Sequence, residues 1–268
     1  MSDKNEQLAQ EAFTLQSKKF DQQYGINKII EYKRERVRTH LRNYLLPDHY
    51  ILELNSGTGE DAIWLARQQC RVHATDISVG MMEVLKRKVI TERLQNSISF
   101  ELCSFTNLKS LSDKGPYDMI FSNFAGLNCT TEIKKVLESF DGLLKPNGIV
   151  ALVLLPKFCL WEWLLLFNGK FKTATRRISR NGAVANIEGI SFRCRYYNPS
   201  YIAKALHQRF KLLRIEGLCT IVPPSYIEKF AEKYPSLFMF LKRKEEKMKN
   251  KWPWKLIGDY YIISLQKK

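Results

Sequence analysis

The residues best able to do chemistry lie in one short run. Glu53-Leu54-Asn55-Ser56-Gly57-Thr58-Gly59-Glu60-Asp61 joins an apolar stretch to an amphipathic one, and Asp76 closes the next apolar stretch. Glycines at 57 and 59 let the backbone turn tightly and leave room for a ligand against main-chain N–H groups at a helix N-terminus. An acid placed as Asp76 is, at the end of the following strand, is spaced to accept the two hydroxyls of a ribose. The chemistry indicated is the holding of a nucleoside-containing cofactor. Gly57-Thr58-Gly59-Glu60-Asp61-Ala62 also fits the dinucleotide pattern G-x-G-x-x-A, so a nicotinamide dinucleotide is the nearest rival. A purely structural glycine turn is the bland alternative.

These residues need a strand before the turn and a helix after it. Tyr50 to Leu54 reads as a short buried strand, and Gly59 to Gln69 as a helix with Ala62, Leu65 and Ala66 on one face. Arg71 to Thr75 is a second strand, and Ser78 caps a helix that aligns Met81, Leu85 and Val89. Ile98 to Leu102, Tyr117 to Ser122 and Ile149 to Leu155 are further strands, with a helix over Thr131 to Leu144 and a turn at Lys145-Pro146-Asn147-Gly148. Strand and helix in alternation indicate a parallel sheet covered on both faces. The first fifty residues read as helix, ended by Pro47-Asp48. After Pro156 the rhythm changes: a helix over 157 to 168, then a hairpin over Lys172 to Tyr197 turning near Asn181-Gly182, with Phe192, Cys194 and Tyr196 alternating against Arg193, Arg195 and Tyr197. Ser200 to Gln208 is a helix, and Phe210 to Glu216 and Tyr260 to Leu265 are the last strands. The expected organisation is a helical segment over 1–48 covering the active site, a core over 49–155, a lid over 156–197, and completion of the core over 198–268 with a helical insertion at 225–250.

Set on these elements, the run resembles the first motif of class I S-adenosylmethionine (SAM)-dependent methyltransferases, an acid followed by alternating glycines, with a second acid ending the next strand. The similarity covers residues 50 to 155. It implies an α/β fold, Rossmann-like and doubly wound, with a mostly parallel sheet of about seven strands, helices on both faces and a lid insertion. It also implies SAM as cofactor and S-adenosylhomocysteine (SAH) as product. By the resemblance, Asn55, Gly57 and Gly59 lie near the amino-acid end of SAM, and Glu53 acts through the loop or a water. Asp76 holds the ribose, with Ile77 and Met81 against the adenine. Ser104 stands where an acid commonly contacts the adenine amino group, and Phe105 offers its backbone N–H to the ring. Tyr117-Asp118-Met119-Ile120-Phe121-Ser122-Asn123-Phe124 is similar to the fourth-strand motif, whose end, at Asn123, lies beside the reactive methyl. Leu144-Lys145-Pro146-Asn147-Gly148 is similar to the turn before the fifth strand. Asn55 replaces the usual first glycine, and asparagine is the residue that best tolerates positive φ after glycine, so the turn survives.

Methyl transfer from a sulfonium is an in-line displacement with an already activated donor, so the protein chiefly positions the nucleophile and excludes water. No dedicated base is required, and no catalytic residue is assigned. The expected acceptor is a hydroxyl or amine of a small, apolar molecule, free or carrier-bound. Tyr24, Asn27, Arg36, Phe124 and Tyr196 are candidates for its pocket, and Trp161, Trp163 and Leu164 to Phe167 either pack on the core or wall the methyl site. Ser122-Asn123-Phe124-Ala125 is not the (D/N)-P-P-(Y/F) tetrad of amino-directed DNA methyltransferases. The alternatives are an RNA-directed methyltransferase and a non-catalytic SAM- or NAD-binding protein.

A formal charge of +16 can attract polyanions, so RNA or an acidic carrier protein is a conceivable partner through basic surface. Lys242 to Lys251 is most simply the solvated face of a helix. The polar N-terminus and the interruption of the Ile149 to Phe167 stretch by Pro156-Lys157 and Glu162 predict no integral membrane segment and a cytoplasmic protein. Six scattered cysteines and four separated histidines lack metal-ligand spacing, so no metal is expected.

Overall fold

The computed structural model describes residues 4–164, 169, 171–179, 181–227 and 229–268 of the 268-residue chain. Its centre is a seven-stranded sheet built from β1 (Tyr50–Leu54), β2 (Arg71–Asp76), β3 (Ile98–Leu102), β4 (Tyr117–Ser122), β5 (Leu144–Leu154), β8 (Phe210–Leu218) and β9 (Tyr260–Lys267), in the order β3-β2-β1-β4-β5-β9-β8. The first five are mutually parallel, and β9 runs antiparallel to both β5 and β8. The expected doubly wound α/β architecture is therefore the one observed. Central strands bury both faces, which is why β1 and β4 are largely apolar and β5 is continuously so from Ile149 to Leu154. Alternation sends Leu52 and Leu54 into one core with Ile120, Val150 and Leu152, and Ile51 into the other with Met119, Phe121 and Val153.

Strand order reverses between β1 and β4, so a crevice opens beyond their carboxyl ends. The helices α3 (Glu60–Arg67), α4 (Val79–Thr91) and α5 (Ile133–Ser139) are the crossovers on this half of the sheet. Three local expectations are corrected. The N-terminal helix is two, α1 (Lys4–Gly25) and α2 (Lys28–Leu41), because Asn27 takes an extended conformation and its side chain caps α2, accepting from the N–H groups of Ile29 at 2.9 Å and Ile30 at 3.3 Å. The fifth strand starts at Leu144, and Lys145 to Gly148 forms a bulge, not a turn before it: the pairing jumps from Tyr117–Leu144 to Met119–Ile149, with Asn147 at φ 62°. The hairpin of β6 (Ala183–Ile187) and β7 (Ile190–Cys194) turns at Glu188-Gly189, both at positive φ, and not at Asn181-Gly182, which precedes it.

Of the segment after Pro156, α6 (Leu160–Leu164) and α7 (Phe171–Thr175) are described, while Leu165 to Phe167 lie outside the described residues. The helix α8 (Pro199–Leu206) leads into β8, and the insertion before β9 carries α9 (Phe230–Lys233) and α10 (Pro235–Met248). Glu245 fastens this insertion. Its carboxylate accepts from the backbone N–H groups of Cys219, Thr220, Ile221 and Val222, from the Tyr32 hydroxyl at 2.9 Å and from Arg36 at 3.3 Å. No described helix is long and apolar enough to cross a membrane.

Candidate cofactor site

Four strand ends and one helix enclose a cavity of about 880 Å³, counting the space at its mouth. From the sheet, β1 and its loop supply Glu53, Asn55 and Gly57, the start of α3 supplies Asp61, the end of β2 supplies Asp76 with Ile77 after it, Phe105 follows β3, and Asn123 and Phe124 follow β4. The helix α1 lies across the opening and lines it with Glu6, Ala9, Phe13 and Phe20. The strand order sets these groups in a row along the sheet edge, Phe105 at one end and Phe124 at the other.

The loop after β1 has the backbone its composition implies. Asn55 (φ 48°), Gly57 (φ 56°) and Gly59 (φ 82°) are all left-handed. A Cβ built on Gly57 meets nothing within 4 Å, so the space beside this backbone is open. Asn55 points its side chain away from that space: it donates to the Asn123 carbonyl at 2.9 Å and accepts from the Ser122 hydroxyl at 2.5 Å, joining the ends of β1 and β4. Asp76 accepts from Gly57 N–H at 2.9 Å and from Ser78 N–H at 2.8 Å. Each carboxylate oxygen has a second lone pair, which leaves capacity for two further donors.

The cavity is acidic within a strongly basic chain. Among the described residues, its lining holds five carboxylates, Glu6, Glu53, Glu60, Asp61 and Asp76, against one cation, Arg34. Glu60 is paired with Arg34 and Lys88, and Asp61 with Arg38. Glu53 is 2% exposed, and its Oε2 has no hydrogen-bond partner among the described residues. Burial, then the charges of Asp61 and Asp76, push the Glu53 carboxyl well above its ordinary range, with Arg38 pulling the other way. Burial also raises Asp76, while the backbone N–H groups of Ser78, Gly57 and Ile77 oppose it. A carboxyl in this condition is suited to a cation, whose charge would favour its ionised form.

The structure distributes the sequence candidates unevenly. Glu53, Asn55, Gly57, Asp76, Ile77, Met81, Phe105, Asn123 and Phe124 line the cavity. Gly59 lies under the loop, where an added Cβ would sit 2.8 Å from Leu85. Ser104 is not on the lining; its hydroxyl bonds to Glu6 and to Thr106. Four pocket candidates are corrected. Tyr24 packs on Phe20, ring centroids 4.5 Å apart, and faces not the cavity but an adjoining groove that shares Arg34 and Glu60 with it. Asn27 is the α2 cap and donates to Ser225 O. Arg36 is buried in an ion cluster with Glu216, Glu245 and Glu246. Tyr196 is buried under Arg177, 5.2 Å from its ring. Trp161 donates to Thr220 O at 3.1 Å and Trp163 stacks on Phe158, so neither walls the cavity. Instead the hairpin braces α1, through Phe192 against Ala9 and Ala12 and through Asn5, which accepts from Arg193 N–H at 2.6 Å.

Missed were the cavity residues of α1 and Asp61. Asp61 accepts from the Asn123 amide at 2.6 Å, tying the start of α3 to the end of β4. The apolar spacing of Ala9, Phe13 and Phe20 was a usable signal for a covering face. Away from the cavity, Cys159, Glu162 and Asp259 cluster closely, but Arg177 bonds both carboxylates, at 2.6 and 2.7 Å.

With this geometry in view, a family model described as a methyltransferase domain matches residues 51–148. The chain is 29% identical over 159 residues to a demethylmenaquinone methyltransferase of Lactococcus lactis, covering 57% of this chain and 60% of that one. It is likewise 29% identical over 149 residues to a malonyl-[acyl-carrier protein] O-methyltransferase of Priestia megaterium, covering 54% and 50%. Across the curated relatives it matches, the chain spans between 37% and 60% of their lengths. Among solved structures, the 1,6-didemethyltoxoflavin-N1-methyltransferase of Burkholderia thailandensis, with S-adenosylhomocysteine bound, superposes with a TM-score of 0.57, covering 97% of this chain and 88% of that one. At 12% identity that likeness is one of fold.

Proposed function

We propose that residues 51–148, which match a methyltransferase domain, hold SAM in the manner of class I enzymes, and that the chain as a whole transfers its methyl group to a hydroxyl or amine of a small apolar molecule. The observation that carries this reading is the acidic cavity: the unpartnered Glu53 carboxyl and the open space beside Gly57 suit a cofactor with cationic groups. Asp76 would take the ribose hydroxyls, Glu53 the cationic amino-acid end, and Ile77, Met81 and Phe105 the base. SAM, when bound, supplies an activated methyl on a sulfonium.

The protein's own residues then do two things. Ala9, Phe13, Phe20 and Phe124 form an apolar cover that excludes water. Phe124 and Ala125 hold consecutive left-handed conformations, at φ 47° and 62°, which keep the Phe124 ring at the cavity between Tyr260 and the Arg34 guanidinium. An acceptor seated there is positioned rather than deprotonated by a dedicated base.

Incubation with SAM labelled in its methyl group and a panel of quinols, phenols and apolar amines tests the reading. Label should pass to an organic-soluble product; binding of SAM with no transfer to any acceptor would point to a silent cofactor-binding protein. A carrier-bound acceptor is the second reading, favoured by the +16 charge and by the acyl-carrier-protein substrate in the name of the Priestia relative. Turnover that collapses with salt would support it.

A further inference from the structure

We propose that Glu6, in the first turns of α1, is the acceptor for the exocyclic amino group of the cofactor's adenine. This rests on the SAM reading above. The cavity groups stand in a row along the sheet edge. If Asp76 at β2 takes the ribose and Glu53 at β1 the amino-acid end, the base must lie on the other side of β2, toward β3. The lining there is apolar, Ile77, Met81 and Phe105. A purine amino group needs an acceptor, and the hydroxyls of Ser104 and Thr106 at the strand end beside it are already engaged. Glu6 reaches this place from a segment about a hundred residues away in sequence: it lines the cavity, is 2% exposed, and bonds Ser104 Oγ and Thr106 Oγ1.

Counting protons shows spare capacity. Ser104 and Thr106 each have one hydroxyl proton, and a carboxylate has about four lone-pair sites. Thr106 Oγ1 lies 3.0 Å from one Glu6 oxygen and 3.3 Å from the other, so its proton can serve one of them at a time. The two hydroxyls therefore orient the carboxylate and leave it able to accept from a ligand. The Ser104 hydroxyl is itself held by the N–H of Thr106 at 3.0 Å, which makes the arrangement stiff.

Placing this acceptor on α1 makes base recognition depend on the cover. The helix is seated by Thr14 against Ser78 at 2.9 Å, by Thr58 against Asp21 at 2.7 Å and by Asn5 against the Cys129 carbonyl at 2.8 Å. A Cβ on Gly80 would come within 2.7 Å of the Thr14 carbonyl, so α1 lies directly on α4. The helix that covers the cavity therefore also carries the acceptor.

The test is calorimetric titration of the full chain with SAH and with its inosine analogue, in which a carbonyl replaces the amino group. The wild type should prefer SAH by about tenfold or more, because the analogue sets an oxygen against the carboxylate. Glu6→Gln, which keeps the shape, should lose about tenfold for SAH and level or reverse that preference, since an amide can donate to the carbonyl. Thr106→Val removes one of the two hydroxyls that orient the carboxylate and should weaken the preference without levelling or reversing it, whereas Glu6→Gln levels or reverses it, which separates a reading role from a packing one. Glu6→Gln retaining the wild-type ratio would overturn the assignment while leaving the SAM reading intact. If the folded wild type binds neither nucleoside, that reading falls, and the role of Glu6 with it.

Discussion

The backbone N–H of Gly57 donates to Oδ2 of Asp76 across 2.9 Å, so the glycine turn after β1 and the acid ending β2 form one unit. Asp76→Ala therefore removes a turn brace as well as a ribose acceptor. It should weaken SAH binding by roughly 1–3 kcal/mol and also lower the melting temperature of the unliganded protein. Calorimetry paired with thermal unfolding checks both. An affinity equal to wild type would show that the carboxylate serves the loop alone.

The two glycines of the turn should fail differently. Alanine at 57 must hold φ at 56° at a cost of about 1–2 kcal/mol, and its methyl enters the open cavity, so ligand affinity should suffer alongside stability. Alanine at 59 carries the same kind of strain and drives its methyl to 2.8 Å from Leu85, so the larger loss should appear in the urea midpoint. Equal effects of the two substitutions on both measurements would contradict the geometry.

Cofactor binding should release protons. Glu53 is raised by burial and by Asp61 and Asp76, so it retains its proton to a higher pH than an ordinary carboxyl. A cation placed against it favours the ionised form, lowers its pKa on binding and expels the proton. Affinity for SAM should then rise with pH through the elevated pKa and flatten above it. Titration in buffers of differing ionisation heat measures the release, and Glu53→Gln should abolish it.

Acid stability should track a second buried carboxyl. Burial alone would raise Glu216, but the hydrogen bond and charge of His40, with Lys249 and Arg36, outweigh it and hold the group at about 2. A folded pKa below the unfolded one gives stability that is present above the ordinary range, near 4.5, and is lost as pH falls toward 2. Urea unfolding between neutral pH and pH 3 should show the wild type losing about 2 kcal/mol through this group, and Glu216→Gln giving a shallower slope.

The parts of the fold legible in the sequence were those governed by local pattern. The largely apolar segments of β1 and β4 and the alternating Ile98, Phe100 and Leu102 of β3 give the observed limits, Tyr50–Leu54, Tyr117–Ser122 and Ile98–Leu102. Asn55 adopts the left-handed conformation its type permits. The hairpin was misplaced because its turn puts Glu188 at φ 49°, where a non-glycine residue is uncommon, while Asn-Gly nearby offered the stronger signal. The cavity's cover was only half visible. Amphipathic spacing marks a buried face on α1, but that Glu6 meets Ser104 is a contact across the whole core. Arg36 and Tyr196 read as pocket residues because side chains with polar ends are usually near solvent, whereas both are held in buried ionic or cation–π contacts.

On the proposed reading, the acidic crevice at the ends of β1 and β2 holds a cationic nucleoside rather than a dinucleotide. Titration of the purified chain with SAM and, separately, with NAD tests it most directly. The account predicts saturable one-to-one binding of SAM and none of NAD at the same concentrations; heat from NAD displaced by no excess of SAM, or silence with SAM, would contradict it.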